Sequence, residues 1–204
     1  MKNSFKILLV TIAFLSLSFM KFDKNEINVV IDAGHGGHDH GAKIDYFSEK
    51  SVVAEITKKL LALNKDANVK IHFTRSEDSY MELIERAHFI NRINPDLAIS
   101  LHVNKNKNTT TNGFEVFVSD KTTTYEKSNE LAIKFANNYS EKTKLNNRGV
   151  KTAPFMVLKK SECPAILIEL GFLSNKNDRN YLTSEAGQNE IAQSILSFVS
   201  DLKK

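Results

Sequence analysis

Apolar residues recur along this chain at two different spacings, and the two alternate from one segment to the next. Ile27 to Asp32 is a short apolar run that ends in a glycine-rich turn, the pattern of a buried strand feeding a loop. Ser48 to Leu63 then places Val52, Val53, Ile56, Leu60 and Leu63 on one helical face. Val69, Ile71 and Phe73 alternate with Lys70, His72 and Thr74, as in a half-buried strand. Ser79 followed by Glu82 predicts a capping box, opening a helix whose inward stripe is Leu83, Ala87 and Ile90. Leu97 to Val103 and Phe114 to Val118 predict two more strands, and Leu131, Ala132, Phe135 and Tyr139 mark a helix. Phe155 to Leu158 and Ala165 to Leu170 predict the last strands, before a closing helix that turns Ile191, Ala192, Ile195, Val199 and Leu202 inward. The polar stretches Lys105 to Asn112 and Asn146 to Ala153 predict loops.

This succession predicts an α/β fold in one domain, with a mixed, mostly parallel sheet of about six strands and helices on both faces. In such sheets, sites gather where strands end and loops begin. A length of 204 residues, with 41% hydrophobic and 25% charged, is enough for one domain with a real core. The start of the chain falls outside the alternation. Lys2 and Lys6 precede an apolar run from Ile7 to Met20, and the chain turns polar at Lys21. A basic flank, a short apolar core and a polar exit predict a signal peptide or N-terminal anchor over residues 1–24, with the folded domain occupying 25–204. The run is shorter than the ~20 residues a bilayer crossing needs, so no integral membrane domain is expected beyond that leader.

The net charge of +4 is spread over the ends and short lysine-rich turns. With no basic helix and no arginine–aromatic platform, a nucleic-acid partner is not expected. The single cysteine, Cys163, precludes an intramolecular disulfide, and it has no base partner in the sequence that would make it a nucleophile.

Four side chains stand out by where they fall among the elements. His35 follows the first strand in Asp32-Ala33-Gly34-His35-Gly36-Gly37, Glu49 opens the first helix, and His102 lies near the end of its strand. Glu169 lies inside an otherwise unbroken apolar run, where an ionised carboxylate costs several kcal/mol unless something charged is close. Two imidazoles and one carboxylate can hold zinc with a fourth position open to water, leaving the second carboxylate to move a proton. The spacings alone do not decide this: no HExxH motif is present, and histidines in glycine turns are common.

A resemblance adds to this reading. Val30-Ile31-Asp32-Ala33-Gly34-His35-Gly36-Gly37-His38-Asp39-His40-Gly41-Ala42 resembles the opening motif of the zinc-dependent N-acetylmuramoyl-L-alanine amidases, which hydrolyse peptidoglycan. Glu49-Lys50, Thr74-Arg75, Arg86, Ser100-Leu101-His102-Val103-Asn104, Arg148-Gly149-Val150-Lys151 and Pro164 to Asn175 follow the family order, from about Val29 to the final helix. The resemblance implies that His35, Glu49 and His102 bind zinc and that Glu169 is the catalytic carboxylate. It also implies a peptidoglycan substrate and, with the leader, an exported protein of the periplasm or cell envelope, expected to act as a monomer. Ala33 stands where the family commonly has proline, and His38 and His40 where other residues are usual.

Smaller expectations follow. His38, His40, His72 and His88 are expected at the surface rather than on the metal. Arg75 and Arg86 are expected in structural ion pairs, Asn104 and Asn175 in caps or turns, and Arg148 is a candidate partner for Glu169. Some cell-division relatives block their zinc with an inserted helix after the second histidine; Lys105 to Asn112 is too short and polar for one, which predicts an open site. Two rival functions fit the same residues: a zinc peptidase cutting within the stem peptide, and a wall-binding module without turnover.

Overall fold

The computed structural model describes residues 26–202, so the leader expected over 1–24 lies outside the described residues. The strands are β1 (Ile27–Ala33), β2 (Lys43–Ile44), β3 (Phe47–Ser48), β4 (Val69–Phe73), β5 (Leu97–Asn104), β6 (Phe114–Val118), β7 (Asn147–Thr152) and β8 (Ala165–Phe172). The helices are α1 (Glu49–Leu63), α2 (Leu83–Ile93), α3 (Tyr125–Lys142), the single turn α4 (Met156–Lys159), α5 (Lys176–Thr183) and α6 (Glu185–Asp201).

Six strands form one sheet in the order β4-β1-β5-β8-β6-β7, and β2 and β3 form a small hairpin. From β4 to β8 all neighbours are parallel, whereas β6 runs antiparallel to β8 and carries β7 parallel to itself. The reversal has a simple cause. A parallel return needs a crossover of a dozen or more residues. The segment 105–113 between β5 and β6 is shorter than that, so the chain comes back in the opposite direction. The expected mixed, mostly parallel sheet is therefore present in a single domain.

Alternation along the strands sends residues to two unlike faces. One face carries Val29, Ile31, Leu97, Ile99, Leu101, Phe114, Val116, Ile166 and Ile168, and these pack with Ile56, Leu60, Phe135, Tyr139, Ile195 and Phe198 of α1, α3 and α6. Each fully buried Leu or Ile there stabilises the fold by about 1.5–3 kcal/mol. The other face carries Val30, Ala98, Ala165 and Leu167, covered by Ile90 of α2 and Val157 and Leu158 of α4. Toward the carboxyl ends of β1, β5 and β8 this second face turns polar, with Asp32, Ser100, His102 and Glu169 at successive positions.

Three local expectations are corrected. Asn147–Thr152, expected as a loop, is the edge strand β7; its exposed polar residues show no apolar alternation because only one neighbour pairs with it. Phe155 to Leu158, expected as a strand, is the helical turn α4, since a short apolar run carries no period of its own. The helix after Ser79 starts later than expected: its capping box joins Glu82 and Glu85, Leu83 is 58% exposed, and Arg86 occupies the buried position instead.

Candidate active site and metal centre

The turn after β1 is held in a conformation that its residues would not choose alone. His35 has a φ of 59°, in the left-handed region that costs a non-glycine residue about 1–2 kcal/mol. Two buried arginines hold it there. Arg75 donates from Nε to the Ala33 carbonyl (3.0 Å) and from Nη2 to the Gly34 carbonyl (2.8 Å). Arg86 donates from Nη1 to the Ala33 carbonyl and from Nη2 to the His35 carbonyl, both at 2.6 Å. Arg86 is itself anchored by Asp32, 2.8 Å away, and Asp32 also accepts from Thr74 Oγ1 (2.8 Å) and Ser100 Oγ (2.6 Å). Burial pushes the Asp32 carboxyl up, but Arg86 and the Ser100 hydroxyl outweigh it and hold the group below the usual carboxylate range. Arg86 thus makes the structural ion pair expected of it, whereas Arg75, expected in an ion pair, instead braces the turn through backbone carbonyls.

The glycines of this turn leave room for the side chains that follow. A Cβ on Gly34 would lie 2.6 Å from Cε1 of His102, and one on Gly41 would lie 2.4 Å from Oε2 of Glu49. Gly41 also has a φ of 61°, which a larger residue adopts only with strain.

Against this turn, three sequence-distant side chains converge. Glu49 is the first residue of α1, where the positive end of the helix favours a carboxylate. Its Oε1 lies 3.0 Å from His35 Nε2 and 2.8 Å from His102 Nδ1, and accepts from the Val103 amide at 2.9 Å. Its Oε2 accepts from the Ala42 amide at 2.8 Å. One ligand atom from each of His35, Glu49 and His102 lies within 4.8 Å of the others. The far side of His35 is fixed as well: Nδ1 lies 2.7 Å from Asp39 Oδ2, and Asp39 Oδ1 accepts from the Gly41 amide. A carboxylate on Nδ1 is the arrangement that turns the other ring nitrogen toward a metal and strengthens it as a donor.

The donor set fits a divalent cation. Burial opposes charge on all three groups, yet the mutual contacts win: Glu49 is held well below the usual carboxylate range by His102 and His35. His35 is raised to about 9 by Glu49 and Asp39, and His102 is raised by Glu49. The cluster draws positive charge inward, and a metal would compete with protons for the same lone pairs.

Glu169 is the Cα partner of His102 across the β5–β8 ladder. Its Oε2 is buried with no hydrogen-bond partner among the described residues. Burial, reinforced by Glu49 and Glu115 against the pull of His102, raises its carboxyl to about 7. Glu169 is not paired with Arg148, which instead donates from Nε to Glu115 at 2.8 Å. A cleft of about 350 Å³ joins Glu169 to the triad, walled by Leu83, Phe155 and Met156. The segment after His102 holds no helix, and Lys105 lies at the cleft edge, in keeping with the open site expected there.

The remaining candidates stand apart. His38 is exposed and lies tilted against the Tyr80 ring, His40 and His88 are exposed, and the half-buried His72 lies beside Asn28. Asn175 caps α5, while Asn104 holds the Lys105 amide and reaches Glu115. Cys163 is buried and its thiol is raised to about 11 by that burial, far from a nucleophile's range. Two residues at the site carried no role in the sequence reading. Asp39 was visible as a carboxylate four positions after His35 in the same turn. Glu115, buried in β6 opposite Glu169, stood like Glu169 inside an apolar run.

An α/β sheet whose carboxyl end gathers three metal-type donors and one unpartnered carboxylate has the layout of a metal-assisted hydrolase. Residues 29–201 match the model of the N-acetylmuramoyl-L-alanine amidase family. The amidase LytC of Bacillus subtilis is 33% identical over 170 residues, covering 82% of this chain and 34% of LytC. The endolysin of Bacillus phage SPP1 is 30% identical over 178 residues, covering 85% of this chain and 65% of the endolysin. This chain thus spans only part of those two proteins, but 95% of a solved N-acetylmuramoyl-L-alanine amidase from Clostridium difficile 630. That structure superposes with a TM-score of 0.80 at 35% identity over 86% of this chain. The chain belongs to the N-acetylmuramoyl-L-alanine amidase family.

Proposed function

We propose that this protein hydrolyses the amide between the lactyl group of N-acetylmuramic acid and L-alanine in peptidoglycan, with zinc held by His35, Glu49 and His102. The observation that carries the reading is the buried, unpartnered Oε2 of Glu169 beside three converging donors. Zinc, when bound, polarises a carbonyl and lets water attack at neutral pH. Glu169 takes the proton of the attacking water at Oε2 as the new C–O bond forms. The same oxygen returns a proton to the nitrogen as the C–N bond breaks, giving a free lactyl carboxylate and a free amine on alanine. A carboxyl raised to about 7 suits both transfers, because it gains and loses a proton near neutral pH. Asp39 keeps His35 turned inward, and the Asp32–Arg86–Arg75 network keeps the turn in place.

The basic-then-apolar N-terminus supports export, with the protein acting as a monomer in the periplasm or cell envelope. Mass analysis of digested sacculi tests the activity. The expected products are intact stem peptides with free N-terminal alanine and sugar strands without peptides, both abolished by a chelator and restored by zinc. Fragments cut between amino acids would replace this reading with a peptidase.

A further inference from the structure

The chemistry at the sheet does not stop at Glu169. Glu115 is its Cα partner on β6, so both side chains stand on the same face, one strand apart, about 5 Å. On β7, Arg148 and Lys151 lean back over Glu115: Arg148 Nε is 2.8 Å and Lys151 Nζ 2.5 Å from the same oxygen, Oε1. Asn104 Nδ2 approaches the other oxygen at 3.3 Å. A row of functional groups therefore runs across the sheet from His102 through Glu169 and Glu115 to two cations.

The charges of this row do not cancel at its outer end. Glu115 is buried and held below the usual carboxylate range by Arg148 and Lys151, so within the row one negative charge faces two positive ones, with the buried Asp178 also in electrostatic reach of Arg148. The cations are not buried with it: the Lys151 side chain is 43% exposed and that of Arg148 36%. Arg148 also donates from Nη1 to the Asn112 carbonyl at 3.4 Å and lies over the Phe172 ring, yet both cations keep donors that none of these contacts uses.

We infer that Arg148 and Lys151, held in place by Glu115, form a subsite for a free carboxylate on the second residue of the stem peptide. The proposal rests on the amidase reading above. Its distances agree with that assignment. An extended peptide advances about 3.3–3.6 Å per residue. A peptide with its scissile nitrogen at Glu169, running across the sheet from β8 toward β6, would bring its second residue to the level of Glu115, beside the cations of β7. An arginine offers two parallel donors to a carboxylate, and a lysine adds a point charge. A purely structural ion pair would tie β7 to β6 without reading the substrate, and the two roles separate experimentally.

The test uses two synthetic muramoyl peptides that differ only in the second residue, one with a free α-carboxylate and one with the carboxamide. The wild-type protein should favour the carboxylate by about tenfold in kcat/KM. Lys151→Met, at an exposed edge position, should raise KM for the carboxylate substrate by about tenfold, leave kcat within about twofold, and leave the carboxamide substrate unchanged. Arg148→Gln should act in the same direction. Equal wild-type kcat/KM for the two substrates, or an equal loss on both in Lys151→Met, would overturn the subsite and leave the amidase reading intact. Failure of the wild type to release alanine-terminated peptide from either substrate would sink both.

Discussion

The two faces of the central sheet are built from the same strands and do opposite things. The face under α1, α3 and α6 is apolar from end to end, and the largest side chains packed on it, such as Phe135, Tyr139 and Leu60 of the helices, are fully buried. The face under α2 and α4 is covered only in part. Beyond Leu167 it carries Asp32, Ser100, His102, Glu169 and Glu115, of which His102 and Glu169 line the cleft and Glu115 stands beside Glu169. One face supplies the stability that the other spends on burying charge. The candidate site sits where the cover is thin and the cleft opens at the strand ends.

This contrast can be broken on either side. The largest effect is expected on the thin face. Glu169→Gln should lower turnover on sacculi by about 10³-fold while circular dichroism and bound metal stay unchanged; turnover within a fewfold of wild type would remove Glu169 from its role. Next comes the buried pair beneath the turn. Arg86→Met strands the Asp32 carboxylate and should cost about 4 kcal/mol in denaturant unfolding, with weaker metal retention. Adding Asp32→Asn should recover part of that loss, and a strictly additive double variant would mean that the pair is not coupled.

The thick face should behave differently. Leu60→Ala leaves a cavity on α1, the same helix that begins with Glu49, and should cost about 3 kcal/mol of stability. Because that cavity lies under the apolar face, KM and metal content at 25 °C should not move. A shift in either would mean that the two faces communicate through the helix.

The smallest effect concerns pH in the chelated protein. Glu169 has a folded pKa raised from 4.5 to about 7, so its contribution is fully present below 4.5 and is lost as pH rises through 7. The loss should be on the order of 3 kcal/mol. His35, raised from 6.5 to about 9, adds a second loss across that higher window. Melting curves of metal-free Glu169→Gln should lack the lower step and keep the upper one. A lower step of unchanged size would assign it to another group.

The sequence made the thick face easy to read, since a 3.6-residue stripe or a run of β-branched residues needs little else to declare itself. It also marked His35, Glu49, His102 and Glu169, each a costly residue at an element boundary or inside an apolar run. What it hid was whatever depends on a neighbour distant in the chain. The strand β7 is polar because it is an edge. Phe155 to Leu158 is too short to show a period, and Leu83 gave up its buried position because Arg86 found Asp32 54 positions away. Glu115 was present in Phe114 to Val118, but its meaning lies in its register opposite Glu169, which no local pattern carries.

The most direct test counts metal and turnover together, by elemental analysis of the purified protein alongside sacculus digestion. The account predicts about one zinc per chain in the wild type and in Glu169→Gln, and almost none in His35→Ala, with turnover only in the wild type. Undiminished digestion by a folded, metal-stripped protein would contradict it.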